Sequence, residues 1–376
     1  MRTHHQRGNS LRYLDACAVA PSCQSCVGAK YGNRVRPRDE YRSALRNATW
    51  LLYEIYYGII GKIFPNSSAK VLLMEKRFHN HLPQPPVINV PDARVPTDLE
   101  EYLFDLNGFV ILRGVLSPEE VADANARIDE IPRELPRKGW HGWVQREDHP
   151  EHRGISYQQV YELGGALERM IDHPNYINYV LRFIGGHDCF DYHHGPAFID
   201  ENFYTIRGPG EAIPLHAGGH DRAKRMSFGY HNGRFQCNQI NVLMAFTDIG
   251  PGDGATMVIP GSHKSNIAHP EFAKRARVEE WQDGGGGSVD GIEGAGEVHM
   301  KAGDAIVFVD STCHGSAKRV NPGERKIAVY RYGSSWNRTR WGYHASPELI
   351  ARANPLARGL VNPQEYIRPP DIDARW

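Results

Sequence analysis

The sequence predicts a mainly β domain with flanking helices, an α+β arrangement built on a jelly-roll core (a double-stranded β-helix, cupin-like). Two observations predict it. Helical patterns come first in the main part of the chain, and short strand patterns bounded by turn residues follow from about Asp191. Two packed sheets, with helices outside one of them, accommodate both kinds of segment.

The helical part of this domain begins near Asp98. Gly108–Arg113 is rich in β-forming residues and predicts a short strand. Ser117, Pro118 and Glu120 then supply a capping residue, a proline in the first turn and a glutamate three residues after the cap, which together predict a helix start. A second helix is predicted over Gly165–Gly185, where apolar residues recur at helical spacing.

The β part shows strand patterns separated by turns rich in glycine and proline, such as Gly250–Gly254 and Pro260–His263. Each pattern is short and rich in β-branched or aromatic residues. The predicted strands are Gln239–Phe246, Thr256–Ile259, Gly303–Val309 and Lys326–Tyr332.

The chain divides into three predicted regions. Residues 1–95 are an accessory segment, helical in character from Tyr41 to Phe78, and the proline cluster Leu82–Pro86 marks its end. Residues 96–345 form the jelly-roll domain. Residues 346–376 are a C-terminal extension with a short helix over Ser346–Arg358.

Composition excludes several function classes. Among 376 residues, Lys plus Arg and Asp plus Glu both number 44, so no global field attracts nucleic acid. No apolar stretch is long enough for membrane insertion, and the candidate Trp50–Phe64 is interrupted by charges and glycines. With no secretory leader recognised, the predicted location is cytoplasmic. The sequence does not determine the oligomeric state.

Three cysteines cluster near the N-terminus, at Cys17, Cys23 and Cys26. A structural zinc site would need a fourth ligand, which His4 or His5 could supply. Free thiols in a reducing compartment are the simpler interpretation.

Three stretches of the main domain carry a distinctive pattern: Gly108–Glu120, Pro251–Gly254 and Val258–Lys264. With His314, Ser316 and Arg325, they resemble the phytanoyl-CoA dioxygenase-like branch of the non-heme Fe(II)/2-oxoglutarate-dependent oxygenases. The resemblance covers roughly residues 98–335. It implies an oxidoreductase that uses Fe(II), 2-oxoglutarate and O2 to act on an aliphatic C–H bond of a small molecule.

The resemblance also implies a role for individual residues. His216 and His314 are the expected iron ligands, since imidazole suits Fe(II). Arg325 is expected to pair with the distal carboxylate of 2-oxoglutarate, with Ser316 supporting it by a hydrogen bond. Asn241 and Gln239, on one face of their strand, are candidates for the near carboxylate.

Each of these residues also has an ordinary interpretation. The chain has 19 histidines, and His193, His194 and His263 are interpreted as surface or hydrogen-bonded side chains. Ser316 could cap a turn, and Cys313 is interpreted as a small core residue. Only the combination of spacing, flanking strands and Arg325 favours a site.

One expected ligand is absent from the sequence. Two residues after His216, where such sites usually carry Asp or Glu, the chain has Gly218. The pattern His216-Ala217-Gly218 resembles that of the family's radical halogenases, in which chloride takes the vacant position. Water, or a displaced carboxylate such as Asp221, could instead fill it in a hydroxylase. In a third hypothesis the site is degenerate and the protein only binds a ligand.

Substrate identity is not readable from the sequence. Three stretches are predicted to line the pocket: Phe203–Ile213, Ala217–Phe235 and Trp140–Trp143. Their aromatic and basic side chains suit a polar or anionic small molecule, although an ordinary solvated loop explains them equally well. The side chains concerned are Tyr204, Arg207, Trp140, Trp143, Arg222 and Lys224.

Overall fold

The structure is a computed structural model, and it describes residues 89–148, 154–185, 197–218, 227–231, 234–275, 287–335 and 344–362. The chain separates into two units, Met1–Leu82 and Pro83–Trp376, and all described residues belong to the second. The N-terminal cysteines and the predicted helical segment Tyr41–Phe78 lie outside the described residues. Within these residues no helix is both long and apolar enough to cross a bilayer.

The first helices begin where the capping residues predict. Helix α1, Asp98–Asn107, follows Thr97, whose side chain accepts from the Glu100 amide while Glu100 bonds back to the Thr97 amide. It stops at Gly108, whose φ of 85° is the left-handed conformation that glycine tolerates best. Helix α2, Pro118–Asp129, has the same reciprocal cap between Ser117 and Glu120, as predicted.

The predicted single helix over Gly165–Gly185 is wrong. The chain instead forms a 3-10 turn at Val160–Leu163, helix α3 at Gly165–Arg169 and helix α4 at Ile177–Ile184. Pro174 lies in the break, where it has no amide to donate and disfavours helical geometry at His173. The remaining helices are α5 at Pro270–Arg275, α6 at Pro347–Arg352 and α7 at Pro355–Val361, with a further 3-10 turn at Ser262–Lys264.

Most of the strands belong to one large antiparallel sheet, with the order β1-β11-β8-β13-β5-β4-β3-β2. A smaller sheet has the order β10-β9-β12, and β6 pairs with β7. In chain order the strands are β1 Phe109–Leu112, β2 Trp140–His141, β3 Val144–Arg146, β4 Ile155–Gln158, β5 Phe198–Arg207, β6 Tyr230–His231, β7 Arg234–Phe235, β8 Gln239–Ala245, β9 Thr256–Val258, β10 Gly296–Val298, β11 Ala305–Val309, β12 His314–Ser316 and β13 Arg325–Gly333.

The two faces of the large sheet have different roles. Along β5 and β13, Tyr204 and Tyr330 point outward into a core shared with the helices. The alternate residues Phe203 and Val329 point inward, and they pack with Val258 of the small sheet. Helices therefore cover one face, and the small sheet covers the other. This is the predicted jelly roll with helices outside one sheet, and the space between the sheets positions the site.

Candidate iron and 2-oxoglutarate site

His216 and His314 lie side by side on paired backbone segments. Each donates its amide to the other's carbonyl, at 2.8 Å in both directions, and the ring centroids are 4.1 Å apart. His314 also pairs with Val258 of β9 on its other side. Because backbone bonds on both sides hold β12, the two imidazoles share one rigid frame.

Gly315 allows these segments to approach. A Cβ at this position would lie 2.4 Å from Val289 Cγ2 and 2.7 Å from the carbonyl oxygens of Ile213 and Pro214. Such distances are far inside van der Waals contact, so any side chain here would push the two histidine segments apart. The glycine is therefore a steric requirement of the paired arrangement.

Both histidine rings are oriented by a carbonyl two residues earlier in the chain. His216 Nδ1 is 2.9 Å from Pro214 O, and His314 Nδ1 is 2.7 Å from Thr312 O. Since a carbonyl only accepts, each Nδ1 carries the proton, and the lone pair of the neutral ring is on Nε2. A carbonyl that fixes the tautomer in this way is the usual second partner of a metal-binding histidine.

Two buried arginines lie beside this pair. Arg207 ends β5 and Arg325 begins β13, and the two residues are direct partners across the strands, 3 % and 2 % exposed. Arg207 Nη1 donates to Ser316 Oγ at 3.3 Å, and Arg325 Nη2 donates to Thr256 Oγ1 at 2.8 Å. In the part of the chain that the structure describes, neither guanidinium has a carboxylate partner, and Arg325 Nε has no hydrogen bond.

The arginine pair is electrostatically unfavourable without an anion. Burial lowers the pKa of Arg207 to about 10, with Glu211 acting weakly in the opposite direction. Burial, followed by repulsion from Arg207 and Arg319, lowers the pKa of Arg325 to about 9. Both shifts mean that the charged forms are destabilised where they stand. A bound carboxylate would relieve this repulsion and take the unused donors of Arg325.

Residues that fit 2-oxoglutarate therefore adjoin residues that fit iron. Ser316 lies two residues beyond His314 on β12, and its Oγ also accepts from the Ile213 amide at 2.8 Å. A dicarboxylate such as 2-oxoglutarate could lie between Arg325 and the histidines, with one carboxylate held by the arginine and the other end at the metal. Among the described residues no three or more His, Cys, Asp or Glu side chains are grouped so that they could hold a metal.

Asn241 and Gln239 lie near this site, but their amides have other partners. Asn241 Nδ2 donates to Asp310 Oδ1 at 2.8 Å, while its Oδ1 accepts from Arg331 Nε at 2.6 Å. Gln239 Nε2 donates to Asp200 Oδ2 at 2.7 Å. Their predicted contact with the near carboxylate of 2-oxoglutarate stays a prediction.

The segment after His216 is tied to the same region. The Gly218 amide donates to Asp310 O at 2.8 Å, so the position that usually carries the third ligand is held close to the strand leading to His314. Asp221, the alternative carboxylate, lies outside the described residues, as do Arg222 and Lys224. So do His193 and His194.

Two residues predicted to face substrate do something else. Tyr204 is fully buried on the outer face of the sheet and donates to Asn125 Oδ1 at 2.7 Å, so it belongs to the helical core. Arg207 points inward, but it contacts Ser316. The alternation Phe203, Thr205, Arg207 along β5 was the available signal, because it places all three on one face. Trp140 and Trp143 are half exposed on the β2–β3 hairpin.

The other interpretations of single residues fit the structure. Cys313 is a buried cysteine, not in a disulfide, among apolar neighbours. His263 is buried, with Nε2 donating to Asp105 O at 3.1 Å. Burial and the neighbouring Lys264 lower its pKa to about 4, so it is neutral near pH 7.

The profile of the family described as phytanoyl-CoA dioxygenase (PhyH) matches residues 104–327, more than half of the chain. Ectoine dioxygenase of Nocardia farcinica is 24% identical over 62% of this chain and 76% of its own length. Peroxisomal phytanoyl-CoA dioxygenase of Mus musculus is 24% identical over 65% of this chain and 70% of its own. The solved structure of HygX from Streptomyces hygroscopicus, with nickel and 2-oxoglutarate bound, has a TM-score of 0.52 and 20% identity. It covers 69% of this chain and 95% of HygX, and it supports the fold.

Proposed function

The chain belongs to the phytanoyl-CoA dioxygenase family, and from this premise we propose that it oxidises an aliphatic C–H bond of a small molecule, with iron held by His216 and His314. It is an enzyme of the dioxygenase type that depends on Fe(II) and 2-oxoglutarate. The finer proposal concerns the ligand that takes the place of the carboxylate missing at position 218. That ligand determines which group is transferred to the substrate.

One observation carries the proposal. Two imidazoles with fixed Nδ1 protons adjoin two buried guanidinium groups that have no carboxylate partner among the described residues. The first pair would hold a divalent metal through Nε2, and the second would hold a dicarboxylate. The two guanidinium groups are buried beside each other, and Arg325 Nε has no hydrogen bond among the described residues, so a bound carboxylate would satisfy a buried polar group there.

Each residue contributes a separate task to the reaction. When bound, iron supplies the activation of O2 that is coupled to the oxidation of 2-oxoglutarate. Arg325 would orient 2-oxoglutarate by its distal carboxylate, and Ser316 and Thr256 would position the arginines around it. Phe308, whose ring lies 4.8 Å from that of His314, would help to exclude water from the metal's protein side.

We propose that chloride takes the position opened by Gly218, which would make the enzyme a radical halogenase. The support is the absence of a third ligand among the described residues, together with the main-chain bond that holds Gly218 close to Asp310. A glycine here leaves room for an anion and removes the negative charge that would repel one.

Hydroxylation is the second candidate, and the comparisons are equally consistent with it. The relatives at 24% identity are dioxygenases by name. Water in the open position, or Asp221, would then complete the coordination. The cytoplasmic location and the polar or anionic character of the substrate stay proposals. Arg207 contacts Ser316 beside the proposed cosubstrate site, so it no longer supports an anionic substrate.

An anaerobic titration of the full chain with Fe(II) and 2-oxoglutarate tests the proposal. A visible charge-transfer band is expected, and chloride is expected to shift the band or tighten the complex if halogenation is correct. A band that is insensitive to chloride would support hydroxylation instead. No band at saturating iron would overturn the site assignment.

Two variants serve as matched controls for the titration. His314→Ala is expected to abolish the band, since one imidazole cannot hold the metal in the same way. Gly218→Asp is expected to keep the band but lose its response to chloride. Retention of the chloride response in Gly218→Asp would contradict chloride binding at that position.

A further inference from the structure

Gln158 and Thr205 are buried polar residues, each with one side-chain oxygen that has no hydrogen-bond partner among the described residues. Each is 7 % exposed. Gln158 Oε1 and Thr205 Oγ1 have no hydrogen bond in the described part of the chain. A buried polar atom without a partner is unfavourable by roughly 1–3 kcal/mol, and native structures rarely leave one without water or a ligand.

Both residues lie on the inner face of the large sheet. Gln158 is the cross-strand partner of Phe203, and Phe203 packs inward against the cluster that includes Val258 of the small sheet. Thr205 is two residues from Phe203 on β5 and therefore points the same way. Their neighbours in the strands, Tyr157 and Tyr204, point to the opposite face and join the helical core.

This placement puts the two residues next to the proposed cosubstrate site. Thr205 lies one inward position from Arg207, which contacts Ser316. Gln158 lies diagonally across from Thr205 on β4, at the distance where side chains of neighbouring strands still meet. The pair therefore lies on the inner face of the sheet, on the side of β5 away from Arg325.

We propose that Gln158 and Thr205 form a substrate subsite for a neutral group that both donates and accepts hydrogen bonds, such as a carboxamide or a hydroxyl. This inference rests on the proposed function, because it assumes that substrate enters the same cavity. The subsite deepens that proposal by naming the chemical class of the group bound beside the cosubstrate.

The neutrality of the group follows from the donors and acceptors. A glutamine amide presents one acceptor and two donors, and a threonine hydroxyl presents both roles. A carboxylate would leave the glutamine carbonyl facing another acceptor, and an ammonium would face the amide donors and lie one position from the charge of Arg207. A group with a donor and an acceptor side by side satisfies both side chains.

Three fragments with the same ring and different charges test the class: benzamide, benzoate and benzamidine. Each is titrated by ligand-observed NMR into the full chain loaded with Ni(II) and 2-oxoglutarate. Benzamide is expected to bind most tightly, and its affinity is expected to fall about tenfold in Gln158→Leu and several-fold in Thr205→Val, since each change removes hydrogen bonds without much change in volume. Equal benzamide binding by wild type and both variants, or a Gln158-dependent preference for benzoate, would overturn the proposal.

Gln145→Leu is the matched control. Gln145 is the partner of Gln158 on β3, but its amide already donates to Lys138 O at 3.4 Å, so benzamide binding is expected to be unchanged. The thermal midpoints of Gln158→Leu and Thr205→Val are expected to equal or exceed that of wild type, and a clear drop in both would indicate a structural role instead. The anaerobic Fe(II)/2-oxoglutarate band is measured on every variant. If benzamide binds equally well to wild type and to both variants while the band is intact, the result counts against the subsite alone. If wild type shows no band, the result counts against the proposed function.

Discussion

Two inward-facing arginines on strand β13 have opposite surroundings. Arg331 donates through Nη1 to Glu201 and through Nε to Asn241, and it lies 3.8 Å from Asp310. Arg325, at the other end of the strand, faces Arg207 and donates, among the residues that the structure describes, only to the Thr256 hydroxyl. Both are less than a tenth exposed.

This difference distinguishes a buried arginine that stabilises the fold from a buried arginine that binds an anionic ligand. A buried guanidinium surrounded by carboxylates and amides is satisfied, and removing it leaves its partners uncompensated. A buried guanidinium beside a second cation is unsatisfied, and it gains only when an anion arrives. Stability and cosubstrate affinity should therefore respond in opposite ways to changes at the two positions.

The largest effect is expected from Arg331→Met. Removal of this guanidinium takes the cation away from the buried Asp310 and the partly buried Glu201, and breaking a buried pair typically costs about 3–5 kcal/mol. The free energy of unfolding, measured by urea titration, should fall by this amount. Affinity for 2-oxoglutarate, measured in the cold where the variant is folded, should be nearly unchanged.

The paired variant Arg331→Met/Glu201→Gln provides the control for that result. Neutralising Glu201 removes part of the uncompensated charge, so a fraction of the lost stability should return. If Arg331→Met unfolds no more easily than wild type, the distinction between the two arginines fails.

Arg325→Met should weaken 2-oxoglutarate binding by about 100-fold, equivalent to about 2.7 kcal/mol, because a charge-assisted pair with the distal carboxylate is lost. The same change removes a repulsive buried charge, so the unfolding free energy of the apoprotein should stay constant or rise. Calorimetric titration of 2-oxoglutarate into the Ni(II)-loaded protein gives the first quantity. A variant that keeps wild-type affinity would exclude Arg325 from the cosubstrate site.

Asn241→Leu should lower stability by about 2 kcal/mol, since Arg331 and Asp310 each lose a buried hydrogen bond. The same variant tests the predicted contact of Asn241 with the near carboxylate. An affinity for 2-oxoglutarate that falls more than about tenfold would show that Asn241 also serves the cosubstrate. An unchanged affinity would assign this residue to the Arg331 network alone.

Arg207→Gln should have the smallest effect, a loss of 2-oxoglutarate affinity of about tenfold, which corresponds to about 1.4 kcal/mol. Glutamine keeps a donor for Ser316, but it removes the second positive charge. Its unfolding free energy should match or exceed that of wild type. A loss of stability without a change in affinity would instead place Arg207 among the structural residues.

The sequence predicted the fold class and five of the described strands, β1, β8, β9, β11 and β13, because period-two alternation and turn residues are local signals. Ser117 and Glu120 marked a helix start to the residue, since both capping contacts form within four positions. The predicted helix over Gly165–Gly185 was wrong because the backbone breaks at Pro174, although the apolar residues recur at helical spacing. Periodicity indicates which face is buried, but it does not report a break in the backbone.

Some residues of the candidate site could likewise be predicted from the sequence, and others could not. His216, His314, Ser316 and Arg325 were selected through the family resemblance, and the structure places them on neighbouring segments. Arg207 was predicted as a pocket residue, but its contact with Ser316 could not be predicted, and neither could that of Thr256 with Arg325, because both depend on cross-strand register between distant segments. The unpartnered pair Gln158 and Thr205 was equally invisible, since a missing hydrogen bond is a property of packing.

The main-chain bond from Gly218 to Asp310 has an evolutionary consequence. Every residue except proline has the amide that this bond needs, so an aspartate at position 218 could keep the bond. A glycine codon and an aspartate codon can differ by a single nucleotide. On the proposed function, a third ligand from the protein and one from solvent would therefore be separated by a single point mutation.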